Sequence, residues 1–271
     1  MPIQVVREDK VTNKIIRNYG YVDRHSANRR FHITKGQLIA GYTVGIMHLD
    51  VHYPLVPGNV VNATTFDFPV RYQLIPGADG ERVHTGDRSL LPALIETARK
   101  LEMEGVRAIC GACGYLGHFQ QEVANEIDIP VYLSSLVQGT WIEAGLKRSQ
   151  KIGVLCADHD ADLTASLLTP CGIDNHDRYI IRSAGDLPEF NGIATSKGHF
   201  NHQLVEEEIV GLARQMVEED PDIGAILLEC SDMPPYSAAI QAELNIPVFD
   251  FNTLIRFVHS VVAQKPYYGF M

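Results

Sequence analysis

Two cysteines, Cys113 and Cys230, stand at matching places in two similar stretches of the chain. A thiol is a proton donor, and its thiolate is a base and a nucleophile. Two thiols facing one site could work on opposite faces of one carbon. One, as thiolate, removes a proton next to a carboxylate or carbonyl, and the other returns a proton from the far side. Such a reaction needs no cofactor if preorganised donors stabilise the enolate-like intermediate. The backbone N–H groups of Gly114, Tyr115, Ser231 and Asp232, beside the cysteines, are the candidate donors.

The stretches that place these thiols are Val106 to Val131, VRAICGACGYLGHFQQEVANEIDIPV, and Ile223 to Val248, IGAILLECSDMPPYSAAIQAELNIPV. They align without a gap. Pro130 stands opposite Pro247 at the same offset as the cysteines, and Ile109/Ile226, Phe119/Tyr236, Glu126/Glu243 and Ile129/Ile246 match in kind. Each copy reads as a buried strand, a turn carrying the cysteine, a helix and a short second strand. A residue just past the carboxyl end of such a strand lines the ligand crevice of an open α/β sheet. The following helix start would favour thiolate and lower the cysteine pKa, and its N–H groups could hold a substrate carboxylate.

Other candidates lie near the same corners. His48 and Asp50 end the first strong strand, GYTVGIMHL, and Asn59 follows its Pro-Gly loop. Ser134 ends a strand near the cleft, with helix capping as its other reading. Glu229 precedes Cys230 and could tune that thiol, bind an amine, or sit in a surface ion pair. Cys110 has Leu227 as its repeat partner and reads as core, and Cys156 and Cys171 have no matched cysteine. His118 reads as a surface histidine. The Cys110–Cys113 pair is formally C-x-x-C, but Cys110 lies inside the strand, so no redox motif is expected, and without a second C-x-x-C or a spaced His pair half a zinc site is not expected either. Gly111, Gly114 and Gly117 have the wrong spacing for a dinucleotide loop.

The surrounding elements alternate. Val70 to Ile75 reads as a strand. Asp87 caps an amphipathic helix carrying Leu90, Leu91, Leu94, Ile95, Ala98 and Leu101, which Gly105 ends. A helix spans Ser135 to Lys147. The second half restarts at KIGVLCADHD, an echo of TVGIMHLDVH, followed by a helix over Asp158 to Leu168 and a strand at Tyr179 to Ile181. Pro188 to Phe200 reads as a polar loop. Helices follow at Gln203 to Glu219 and from Asn252 to about Ala263. This order predicts an α/β protein with two doubly wound parallel-sheet domains related by a pseudo-two-fold axis, their cysteine turns meeting in an interdomain cleft. The expected division is 1–137 with 253–271, and 138–252.

The chain has 271 residues, 45% hydrophobic and 21% charged, enough for two modest cores. Its net charge of −10 argues against nucleic acid or an anionic membrane as partner, but a donor-rich site could still take an anionic substrate. Five cysteines are not a secreted disulfide framework. No signal-like or membrane-spanning apolar run is evident, so a cytoplasmic location is expected. Residues 1–40, with Arg17, Arg24, Arg29 and Arg30, read as an extension packed on the body or on a partner subunit.

The paired cysteines in CGACGYLG and LLECSDMPPY, within the duplicated layout over roughly residues 41–260, resemble the aspartate/glutamate racemase superfamily. That group holds cofactor-independent amino-acid and hydantoin racemases, arylmalonate decarboxylases and maleate cis-trans isomerases. The resemblance implies two flavodoxin-like domains, Cys113 and Cys230 as an acid/base pair, no cofactor, and a homodimer. Where the amino-acid racemases resemble Cys-Asn-Thr at the first corner, this chain has Cys113-Gly114-Tyr115, which makes room for a larger or flatter substrate. The expected function is therefore a racemase or epimerase, a PLP-independent isomerase acting on an amino acid, hydantoin or related small acid. The alternatives are a cysteine-dependent decarboxylase or cis-trans isomerase of the same fold, or a non-catalytic small-molecule binder.

Overall fold

The computed structural model describes residues 17, 19–22 and 30–271. Two four-stranded, wholly parallel sheets organise it. The first half runs β1 (Val44–His48), β2 (Val70–Leu74), the short α1 (Gly80–His84), α2 (Leu91–Met103), β3 (Ala108–Gly111), α3 (Gln120–Glu126), β4 (Val131–Tyr132) and α4 (Gly139–Gly145). The second runs β5 (Lys151–Cys156), α5 (Ala161–Ser166), β6 (Tyr179–Ser183), α6 (Asn191–Ala194), α7 (His202–Glu219), β7 (Ile223–Leu228), α8 (Ser237–Leu244), β8 (Val248–Phe249) and α9 (Phe251–Val262). The strand orders are β2-β1-β3-β4 and β6-β5-β7-β8, the same arrangement twice.

The repeat visible in the sequence is also a repeat of register. Ile109 pairs with Val131 and Cys110 with Tyr132, while Ile226 pairs with Val248 and Leu227 with Phe249. β3 and β7 are buried along their whole lengths. Helices cover both faces of such a strand, so it reads as a continuous apolar run. Cys110 accordingly lies in the core, as its apolar repeat partner implies.

Helix ends follow local side-chain chemistry. Asp87 accepts from the Ser89 N–H and caps a 3-10 turn at Arg88–Leu90 that leads into α2. α9 starts a residue earlier than expected. Asp250 accepts from the Thr253 N–H at 2.7 Å and the Thr253 hydroxyl accepts from the Asp250 N–H at 2.9 Å, a reciprocal capping box. Leu254, Ile255, Val258 and Val262 then bury one face of α9 against β1 and β3, so the last helix returns to the first sheet. Each such side chain contributes about 1.5–3 kcal/mol of burial.

Two expectations fail here. The helix read over Asp158 to Leu168 is shorter, and Asp160 rather than Asp158 caps it by accepting from the Asp162 N–H. The polar stretch Pro188–Phe200 is not simply a loop, because it holds α6, anchored by the buried Phe190 and Ile193. Arg24 and Arg29 of the N-terminal extension lie outside the described residues. Arg17 pairs with Glu102, and the Tyr19 hydroxyl donates to the Arg107 carbonyl at 3.1 Å, so this part packs on the body. Among the described residues no helix is long and apolar enough to cross a membrane.

The first corner depends on close backbone approach. A Cβ on Gly111 would overlap the Leu133 carbonyl, which is backbone and cannot rotate away. Gly111→Ala is expected to destabilise the protein by about 2–3 kcal/mol, within the usual cost of overpacking. Urea denaturation reads this directly, and an unchanged midpoint would contradict it.

Candidate active site

Both cysteine corners continue their sheets by one more bond. Ala112 N–H donates to the Met47 carbonyl and Glu229 N–H to the Leu155 carbonyl, each at 2.9 Å. The corners face each other across the cleft and are fastened together, since the Ser231 hydroxyl donates to the Ala112 carbonyl at 2.9 Å. Between them lies a cavity of about 260 Å³. That is just below the ~300–1,000 Å³ of sites for drug-sized ligands, so it suits a small metabolite.

Cys113, Gly114 and Tyr115 line one side, and Glu229, Cys230, Ser231 and Asp232 the other. His48, Asp50 and Asn59 also border the cavity. Ser134 does not. Its hydroxyl accepts from the Leu136 N–H and caps a 3-10 turn, so its capping role is the one the structure gives.

Several bordering groups are already committed to the protein. The Tyr115 hydroxyl bonds with Thr164 Oγ1 at 2.8 Å and accepts from the Asp158 N–H at 3.1 Å. Asn59 donates from Nδ2 to Asp232 Oδ1, while its own Oδ1 accepts from the Val61 N–H. Asp232 is the hub of the second corner. It accepts from Asn59, from the Tyr53 hydroxyl at 2.9 Å, and from the Cys230 thiol at 3.5 Å. The Asp232 N–H in turn donates to Cys230 Sγ at 3.4 Å. Burial nonetheless raises the Asp232 carboxyl above its ordinary pKa, these hydrogen bonds offsetting it only in part.

The expected lowering of the thiol pKa values is reversed. Burial, then the Glu229 carboxyl, pushes Cys113 up, and the N–H groups of Tyr115 and Leu116 compensate only partly. Burial, then Asp232 and Glu229, pushes Cys230 well up. The local geometry explains the miss. Cys113 leads into a six-residue 3-10 turn, Gly114–Phe119, and Cys230 lies ahead of another at Pro234–Tyr236, so neither thiol sits at the start of a long helix. Burial and the neighbouring carboxyl groups therefore favour the protonated thiols.

Sequence reasoning missed four contributors. Tyr53 holds Asp232. His84 borders the cavity, stacks on Tyr115 with ring centroids 4.2 Å apart, and makes a 2.7 Å bond from Nδ1 to Asp158 Oδ2 across the cleft. Burial lowers the His84 pKa despite that carboxylate. Ile193 and Ser196, on and just past α6, border the cavity from the second half. The apolar Phe190 and Ile193 within a polar stretch were the available signal. His118 is half-buried, its Nε2 bonded to the His84 carbonyl at 3.1 Å, rather than free on the surface.

The charge of the lining is one-sided. Asp50, Glu229 and Asp232 border the cavity, and among the described residues no Lys or Arg does. Among the described residues, His48 and His84 are the basic side chains on its border.

Residues 70–255 match the model of the Asp/Glu/hydantoin racemase family. The chain belongs to that family. Its architecture agrees with solved members of the fold. The allantoin racemase of Pseudomonas fluorescens superposes with a TM-score of 0.57 at 15% identity, over 84% of this chain and 99% of that one. Unliganded arylmalonate decarboxylase gives 0.54 at 14% identity, over 83% and 94%. Similar curated proteins carry a different activity. A dimethylsulfoniopropionate lyase from Durusdinium sp. clade D is 29% identical over 84% of this chain and 77% of its own length. Dimethylsulfoniopropionate lyase 7 from Emiliania huxleyi is 28% identical over 84% and 69%.

These relatives overturn the expectation of a racemase or epimerase, and with it the isomerase class. Family membership stands, but the more similar proteins are lyases. The expectation went astray because two thiols at matched corners fit several proton-transfer reactions and do not say which bond breaks.

Proposed function

We propose that this protein is a carbon–sulfur lyase that eliminates a neutral sulfide from a propionate bearing a sulfonium at its third carbon, with dimethylsulfoniopropionate as the substrate. The carrying observation is the acid-rich lining that, among the described residues, lacks Lys and Arg. Burial, with the Asp232 carboxyl nearby, raises both thiol pKa values. A bound cation opposes that effect and favours thiolate, whereas a dicarboxylate would deepen it. The similarity to dimethylsulfoniopropionate lyases supports the same reading.

The reaction balances with one base. Cys230 passes its proton to Asp232, the acceptor 3.5 Å away. The thiolate then removes a proton from the carbon next to the substrate carboxylate. The C–H electron pair forms the new double bond, and the bond to sulfur breaks with its pair on sulfur. Dimethyl sulfide leaves uncharged and acrylate remains. One proton goes to solvent as Asp232 and Cys230 return to their starting states. A neutral leaving group needs no general acid, so Cys113 forms the opposite wall and is not a second base.

The test is incubation of the full chain with dimethylsulfoniopropionate, with headspace chromatography for dimethyl sulfide and NMR for acrylate. Equimolar dimethyl sulfide and acrylate are expected. Intact substrate, together with carbon dioxide release from an arylmalonate, would move the activity to decarboxylation.

A further inference from the structure

Glu229 is a buried acid with no cationic partner among the described residues. It has no solvent exposure, and neither carboxyl oxygen has a hydrogen-bond partner among the described residues. It belongs to the second corner, next to Cys230, yet its side chain reaches the first. A Cβ on Gly114 would overlap Glu229 Oε1, so glycine at that position is what lets the carboxyl pack between the corners. This is also why Gly114 follows Cys113 here. The residue thus touches both halves and borders the cavity.

The titratable groups facing it come from every element around it. They are Cys113 and Tyr115 past β3, Cys156 and Asp158 at the end of β5, Cys171 beyond α5, and Cys230 and Asp232 on its own corner. None of these can be a cation. An isolated buried carboxylate is far costlier than the neutral acid. Burial, then Asp158 and Asp232, pushes Glu229 up to about 8, and the nearby Ala157 backbone, which forms no hydrogen bond of good geometry with it, offsets only part of the effect. An ionised Glu229 would also add to the charge that holds both thiols protonated.

We propose that Glu229 is a positioning residue that works as a neutral carboxylic acid, and that its ionisation shuts down proton transfer at the cysteine corners. Buried between the corners, it fills the gap beneath them without placing charge against a thiolate. The proposal rests on the lyase reading for its activity measurement and on no substrate for its second measurement.

Wild type, Glu229→Gln and Glu229→Ala are compared as full chains. With dimethylsulfoniopropionate, kcat of the wild type should fall as pH rises through about 8. Glutamine, a neutral isostere, should keep kcat at neutral pH within about threefold and abolish that fall, with KM little changed. Alanine should lose about tenfold to a hundredfold at every pH, as expected for a corner left unsupported. A glutamine variant as impaired as alanine, or one that keeps the wild-type alkaline fall, overturns the proposal.

The second measurement is thermal unfolding of wild type and Glu229→Gln across pH. Glu229 has a folded pKa above the unfolded value of about 4.3. Between the two, the folded state holds a proton that the unfolded state has released, so raising pH weakens the fold. Glutamine should therefore gain Tm relative to wild type as pH rises toward about 8 and level off above it. A constant Tm difference overturns the proposal even if the lyase assay succeeds. A rising difference in a protein that leaves dimethylsulfoniopropionate intact would sink the lyase reading, while the buried neutral acid would stand.

Discussion

Cys230→Ser is expected to lower kcat/KM for dimethylsulfoniopropionate by about 10³-fold, the scale of a lost general base. Serine keeps the shape and the hydrogen bond to Asp232, but its hydroxyl is too weak an acid to pass its proton to a carboxylate. Cys113→Ser should cost less than about tenfold, because elimination of a neutral sulfide uses a single base. The asymmetry follows from the surroundings of the two sulfurs. Cys230 has a carboxylate acceptor at 3.5 Å and a backbone N–H at 3.4 Å, whereas N–H groups face Cys113 and among the described residues no carboxylate is hydrogen-bonded to it. Steady-state kinetics of the two variants, with circular dichroism to verify folding, would decide the point. Equal losses would sink the assignment of Cys230 as sole base.

Asp232→Ala should damage the fold and the chemistry together. It removes the acceptor for the Tyr53 hydroxyl, for Asn59 Nδ2 and for the Cys230 thiol in one step. Each buried donor left without a partner costs about 1–3 kcal/mol, so a loss of about 3 kcal/mol is expected in urea denaturation. Activity should fall by about 10²–10³-fold. Asp232→Asn separates the two effects, since the amide oxygen can still accept from one neighbour but cannot take up the thiol proton. It should recover most of the stability and little of the activity. Recovery of both by asparagine would show that Asp232 serves only to hold Tyr53 and Asn59.

Much of the architecture was legible because it is periodic. The gapless repeat across Cys113 and Cys230, the apolar runs of β3 and β7, and the spacing of α2 and α7 each report burial through local pattern. The bounds of α5 and α9 were less legible, because they depend on which acid accepts a backbone N–H. Asp160 and Asp250 do so, while Asp158 turns to His84. The 3-10 turns after both cysteines were invisible to apolar spacing, and the error carried into the thiol pKa values.

The sequence by itself determined that two related α/β halves would each present a cysteine at the end of a buried strand. Hydrophobic period and internal repetition suffice for that, since they act along the chain. Only the tertiary structure decided the charge and hydration around those thiols. Tyr53, His84, Asp158 and the α6 segment come from distant points in the chain, and the cleft brings them together with Glu229. The protonation states of a buried thiol and a buried acid are set by desolvation and by neighbouring charge, and both depend on the packed arrangement rather than on the order of residues.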